Sequence, residues 1–261
     1  MPKTQDAAAL AEMPAEPVQP FREDTFRGVI THALRSGYSF QRLDRAVDAA
    51  ERATPLIRLR HDVDISPIMA LRLGEIEHEH GVAGNFFFQL NAETYSFLVP
   101  GTLAIIRRLR EMGHCVGVHI DETLVGREEP AIASTLDWVA GQIVGIDRAV
   151  SFHRPSPQVL GRRYQRFVSA YDDRVFDPDS YLSDSRRSMA FHRTVMAWID
   201  DRRPCLQLLL HPEWWCGVDS LEQFWDMLRA RRTAELRHYM IRNFPNVFSP
   251  ILAEEQRTFG L

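Results

Sequence analysis

Two carboxylates and an imidazole crowd the end of an apolar run in "LIRLRHDVDISP", Leu56 to Pro67, where Arg60, His61, Asp62 and Asp64 fall almost side by side. Three later apolar runs also close on an imidazole: His119 in "HCVGVH", His153 in "AVSFH" and His211 in "CLQLLLH". Such a set suits a divalent cation. Hydrolytic metal sites commonly take three ligands of the His/Asp/Glu type and leave one position open for water. The cation makes that water far more acidic and polarises a carbonyl. One carboxylate as ligand, its neighbour as general base and a distant histidine as general acid would complete a hydrolase. The competing reading of Asp62 and Asp64 is electrostatic support for the N-terminus of a helix opening at Ser66-Pro67.

These residues need elements that bring them together. "TPLIRLRHD", "GNFFFQLN", "HCVGVH", "RAVSFH" and "CLQLLLH" read as strands. Helices are expected in "DTFRGVITHALRSGY", in "SPIMALRLGEIEHEHG" with Ser66 as N-cap, in "PGTLAIIRRLREMG", in "EPAIASTLDWVAGQIVG", near 188–200, and in "DSLEQFWDMLRARRTAELRHYM". The segment 155–187 reads as irregular and polar. Strands alternating with helices predict an α/β fold with a parallel sheet, either open or closed into a barrel. Side chains alternate faces along a strand, so each strand has one apolar face. The other face carries Arg60, Asp62 and Asp64, then Gln89, His119, Ser151 and His153, Gln207 and His211. Ligands in parallel α/β folds sit at the C-terminal strand ends, which is where these polar residues fall. By the same parity His61 turns to the apolar side and reads as structural.

The composition excludes other classes. The 261 residues are 45% hydrophobic and 25% charged, with a net charge of −4 and no long basic run, so no nucleic acid and no anionic membrane is expected as partner. No apolar run reaches the length of about 18 residues that a membrane span needs. Residues 1–20, rich in Ala, Pro, Glu and Gln, read as a flexible tail without the basic and apolar regions of a signal peptide. Residues 21–261 are expected to form a single domain. Three cysteines, Cys115, Cys205 and Cys216, show no C-x-x-C spacing and fit a reducing, cytoplasmic setting.

"RHDVD", "GHCVGVH", "SFHRP" and "LLLHPEWW", in this order, resemble the motifs of the polysaccharide deacetylase (NodB-homology, carbohydrate esterase family 4) superfamily, in particular its branch whose first motif reads HDVD. The resemblance covers roughly Leu56 to Trp215. It implies a deformed (β/α) barrel that uses a divalent metal, most often zinc, to hydrolyse an acyl group, commonly N-acetyl, on a sugar. It maps Asp62 as general base, Asp64 and His119 as metal ligands, Arg154-Pro155 as the Arg-Pro of the third motif, and His211 as general acid. The family's second histidine, four positions after the first, is Thr123 here. His153 is the natural replacement ligand and Asp121 the other candidate. The family's fourth motif carries an acidic residue in the region of Asp177, Asp179 and Asp184; Asp184 is the favoured candidate, to hold Arg154 or to contact substrate. Gln89 at its strand end, and Trp214 and Trp215 as a stacking platform for a sugar face, complete the expected site. The substrate implied is a small or carrier-linked N-acetyl sugar. Because the usual histidine pair is broken, the alternative is a catalytically silent barrel serving as a binding or scaffold protein. A glycosidase would need a second carboxylate at another strand end, and none stands out.

Overall fold

The structure, a computed structural model, describes residues 21–45, 54–143, 145–215, 217–218, 220–248 and 250; the expected tail, residues 1–20, lies outside them. Contacts divide the chain into two compact units, Met1–Gly217 and Val218–Leu261. The first holds the sheet. In chain order its elements are α1 (Glu23–Arg35), β1 (Ser39–Phe40), β2 (Leu56–Val63), α2 (Pro67–Glu79), β3 (Asn85–Gln89), α3 (Pro100–Glu111), β4 (Cys115–Asp121), α4 (Glu122–Val125), α5 (Glu129–Gln142), β5 (Ala149–His153), β6 (Val168–Ser169), β7 (Tyr181–Ser183), α6 (Phe191–Asp200) and β8 (Cys205–Leu210). The second unit contains α7 (Leu221–Asn243), opened by Ser220, whose side chain accepts from the Gln223 N–H.

All pairings are parallel, in the order β6-β5-β4-β3-β2-β8-β7, with β1 added beside β2. The sheet is strongly curled. In a flat sheet β2 and β5, three places apart, would be separated by about 14 Å, yet Arg60 Nη2 on β2 donates to Ser151 Oγ on β5 at 2.6 Å. Gln207 Nε2 on β8 reaches the Ala170 carbonyl, just past β6, at 3.0 Å. Among the described residues no ladder joins β6 to β7, so the barrel is incomplete and its gap is bridged by side chains.

Alternation decides which side chains fill the interior. Leu43, Phe87, Cys115, Ala149, Ala170 and Val175 plug the end from which the strands start. Above them sits a polar layer of Arg60, Ser151 and Gln207, and above that the acidic and imidazole groups. The outward faces, including Leu59, Val63, Phe86, Phe88, Val118 and Leu208, are buried beneath the helices. His61 is there too, stacked on Phe86 with ring centres 4.2 Å apart and hydrogen-bonded to the buried Glu77 at 2.5 Å.

The segment 155–187 is less irregular than its sequence reads. It contributes β6 and β7, two and three residues long, too short for any alternation to show. β1 and α4 escaped sequence reading for the same reason.

Gly117 on β4 marks a tight point in this wall. A Cβ there would lie 2.2 Å from the Ala149 carbonyl oxygen and 3.0 Å from the Phe87 ring. Backbone cannot yield as a flexible side chain can, so Gly117→Ala is expected to lose about 1–3 kcal/mol of stability, the usual cost of overpacking. Urea unfolding of the two proteins checks this; equal midpoints would contradict the close approach.

Candidate metal centre

The strand ends meet at one place. Asp62 lies near the end of β2 and Asp64 one residue beyond it; His119 is on β4, His153 ends β5, and His211 follows β8. The loop after β2 is pinned from outside: Tyr95 Oη donates to the Val63 carbonyl at 2.8 Å, and Thr94 Oγ1 donates to that of Asp64 at 2.5 Å. Ser66 caps α2, its side chain accepting from the Met69 N–H. The helix therefore has its own cap, and the two carboxylates remain for other work.

Asp64, His119 and His153 form a compact donor set. His119 Nε2 is 3.4 Å from Asp64 Oδ1 and 3.2 Å from His153 Nδ1, and His153 Nδ1 is 3.7 Å from Asp64 Oδ1. Ligands bound tetrahedrally at zinc-like distances stand about 3.4 Å from one another. Asp64 Oδ1 is buried and makes no hydrogen bond among the described residues. Such an atom is costly unless a further partner takes it. The donor set thus fits a divalent cation.

The tautomer of His119 follows from its neighbour. Ser151 Oγ has one proton and gives it to Asp62 Oδ1, at 2.9 Å. It accepts from Arg60 Nη2 at 2.6 Å, so it must also accept from His119 Nδ1 at 3.0 Å. A neutral His119 then carries its proton on Nδ1 and presents the Nε2 lone pair to the donor set. Burial lowers the pKa of His153, the charge of Asp64 only partly opposing it, which also favours the neutral, ligating form.

Asp62 is held differently. Arg60 grips it with two bonds, Nε to Oδ1 at 3.0 Å and Nη2 to Oδ2 at 2.6 Å. Burial alone would raise its pKa; Arg60, then His119, outweigh burial and hold it well below the usual carboxylate range. Its Oδ2 still faces the donor set, 3.8 Å from His119 Nε2. His211 Nε2 stands 3.8 Å from Asp64 Oδ2. His211 Nδ1 is bonded to Asp184 Oδ1 at 2.6 Å, and Asp184 also accepts from the His211 N–H and from Trp215 Nε1. Burial would lower the His211 pKa, but the bond and charge of Asp184 prevail and raise it to about 9. The imidazole is therefore protonated at neutral pH, with Nε2–H directed at the donor set.

Other expected residues are placed elsewhere. Arg154 is exposed at the rim of the cavity, with a left-handed backbone (φ 51°); the arginine that holds Asp62 is Arg60. Asp121 turns away to cap α4, its Oδ1 accepting from the N–H and Oγ1 of Thr123, so His153 and not Asp121 joins the donor set. Asp184 is fully buried behind His211, without access to a substrate. Trp215 is 2% exposed and packs on Phe21, Phe26 and Phe191; Trp214 alone of the pair lines the cavity. Gln89 is half-buried and does not line it. Sequence reading gave no role to Ser151, Tyr171 or Glu213. Inward parity was the only available signal for Ser151, and none marked the other two.

The cavity above the donor set holds about 520 Å³, within the range of small-ligand sites. A second cavity, of about 720 Å³, opens at the other end of the strands beside Leu43, Arg58 and Cys205, and no histidine lines it among the described residues. Cys115 and Cys205 are free thiols. Among the described residues no helix is long and apolar enough to cross a membrane.

No family model matches the chain, and no curated protein matches it. Among solved structures it is similar to the chitin deacetylase of the fungal pathogen Colletotrichum lindemuthianum, at 16% identity and a TM-score of 0.39, over 67% of this chain and 81% of that one. It is also similar to a family 4 acetyl xylan esterase from Clostridium thermocellum in complex with a cobalt ion, at 14% identity and a TM-score of 0.38, over 69% of this chain and 84% of that one.

Proposed function

We propose that the protein is a metal-dependent hydrolase that removes an acyl group, N-acetyl in the first instance, from a sugar or a small or carrier-linked glycosylated molecule. The observation that carries this reading is the donor set of Asp64, His119 and His153 around the bare Asp64 Oδ1, with Asp62 and His211 each 3.8 Å from one of its members. The motif resemblance of the sequence supports the same chemistry.

Asp64, His119 and His153 would hold the cation, zinc by the character of an Asp/His donor set. When bound, it would acidify water and polarise the acyl carbonyl. Asp62, fixed as an anion by Arg60, would take a proton from the attacking water through Oδ2. His211 Nε2–H would give its proton to the leaving nitrogen as the carbon–nitrogen bond breaks, which returns the amine neutral. Asp184 keeps the imidazole charged and oriented for that transfer. A reducing compartment suits the free thiols of Cys115 and Cys205.

Metal analysis tests the reading. Protein purified without chelator and dialysed is expected to retain about one equivalent of zinc or a similar divalent ion. Removing it should abolish deacetylation of an N-acetyl sugar, and His119→Ala and His153→Ala should each fail to retain it. A folded wild type that binds no metal and shows no chelator-sensitive turnover would instead establish a silent barrel.

A further inference from the structure

Glu213 sits in the single-turn helix Pro212–Trp215, two residues beyond His211, and lines the 520 Å³ cavity together with Trp214. It is 1% exposed, and its Oε2 has no hydrogen-bond partner among the described residues. A buried carboxyl oxygen without a hydrogen-bond partner is unfavourable whether the group is charged or neutral. The structural task nearest to hand, capping α2, is performed by Ser66. Burial pushes the Glu213 pKa up to about 8, His211 pulling the other way and Asp64 and Asp184 adding to the rise. At neutral pH it is mostly an uncharged acid, with a proton to donate into the cavity.

We propose that Glu213 is a substrate-contacting residue whose carboxyl hydrogen-bonds a hydroxyl or carbonyl oxygen of a hydroxyl-rich ligand seated against Trp214. The assignment rests on the hydrolase reading and specifies how that site recognises its substrate. Structurally, the lone carboxyl weakens the fold; as a ligand contact, it acquires its missing partner when the cavity is filled.

The two roles predict opposite signs for one substitution. In the full-length protein, Glu213→Leu replaces an unsatisfied polar group with an apolar one of similar size, which is neutral to stabilising, so Tm should hold or rise by about 2 °C. Its Kd for N-acetylglucosamine, read by titration calorimetry, should rise about tenfold, the worth of one hydrogen bond. Glu213→Gln keeps a neutral donor and should stay within about threefold of the wild type. A Glu213→Leu protein that binds the sugar as the wild type does, or that loses Tm and affinity together, overturns the assignment, as does a wild type that does not bind the sugar. Wild-type binding without turnover would leave the Glu213 contact standing and remove the hydrolase reading instead.

Discussion

Replacement of His211 by asparagine is expected to lower kcat by about 10²–10⁴-fold, the usual contribution of a general acid, with bound metal and KM unchanged. The expectation rests on geometry. His211 is outside the donor set, so its loss should not release a bound cation, yet its Nε2 stands only 3.8 Å from Asp64 Oδ2, within reach of a leaving group in the proposed reaction. The pH dependence gives a second readout. The proton-donating form of His211 persists up to its raised pKa of about 9, so kcat in the wild type should fall on the alkaline side only near that pH. Asp184→Asn removes the charge and weakens the bond that oppose burial, and the fall should move down toward the ordinary histidine value of about 6.5. Stability follows the same linkage. The folded pKa exceeds the unfolded one, so the Asp184–His211 interaction stabilises fully below about pH 6.5 and is lost as pH rises through about 9. A kcat for His211→Asn within threefold of the wild type would remove His211 from the chemistry.

How much of this was legible beforehand depends on the length scale of the signal. The five long strands and their inward faces are set by alternation, which holds over five to eight residues and placed Asp62, Asp64, His119, His153 and His211 at neighbouring strand ends. His153 was read as the replacement for the histidine missing at Thr123 only because it comes one strand later, just before Arg154; that its strand pairs beside that of His119 is visible in the structure alone. The failures have a common cause. Trp214 and Trp215 are adjacent in sequence, and within a single helical turn nothing in the pattern says which of them faces the cavity; packing on Phe21, Phe26 and Phe191 decides it. Asp184 was visible as an acidic residue in the right region, but its engagement by His211 and Trp215 depends on the pairing of β7 with β8. Three residues of strand carry no readable period. Glu213 is marked only by lacking a partner, and that property exists only once the fold is formed.

Alternation puts Arg60 two residues before Asp62 on the same strand and the same face, in position for a two-pronged pair, and the structure forms that pair. Arg154, the arginine of the third motif, is exposed beyond β5. The Arg60 guanidinium is fully buried, bonded to both Asp62 oxygens, to Ser151 Oγ and to Tyr171 Oη, with its carbon 4.4 Å over the Tyr171 ring. Removing one member of a buried ion pair leaves the other charge uncompensated and costs about 3–5 kcal/mol. Arg60→Met is therefore expected to lower Tm by about 6–20 °C at the usual conversion for a domain of this size. Arg60→Lys keeps the charge but not the two-pronged grip, and should fall between the two. Combining Arg60→Met with Asp62→Leu removes both charges and should recover most of the loss, so the two substitutions should be strongly non-additive. In Arg60→Met alone, only the nearby imidazoles still oppose burial, and the Asp62 pKa should rise. The acid group would then be partly protonated near neutral pH, and turnover should recover as pH is raised, which separates an electrostatic defect from simple unfolding. Additive losses across the three proteins, or a Tm for Arg60→Met within about 2 °C of the wild type, would show that the pair does not hold Asp62 in place.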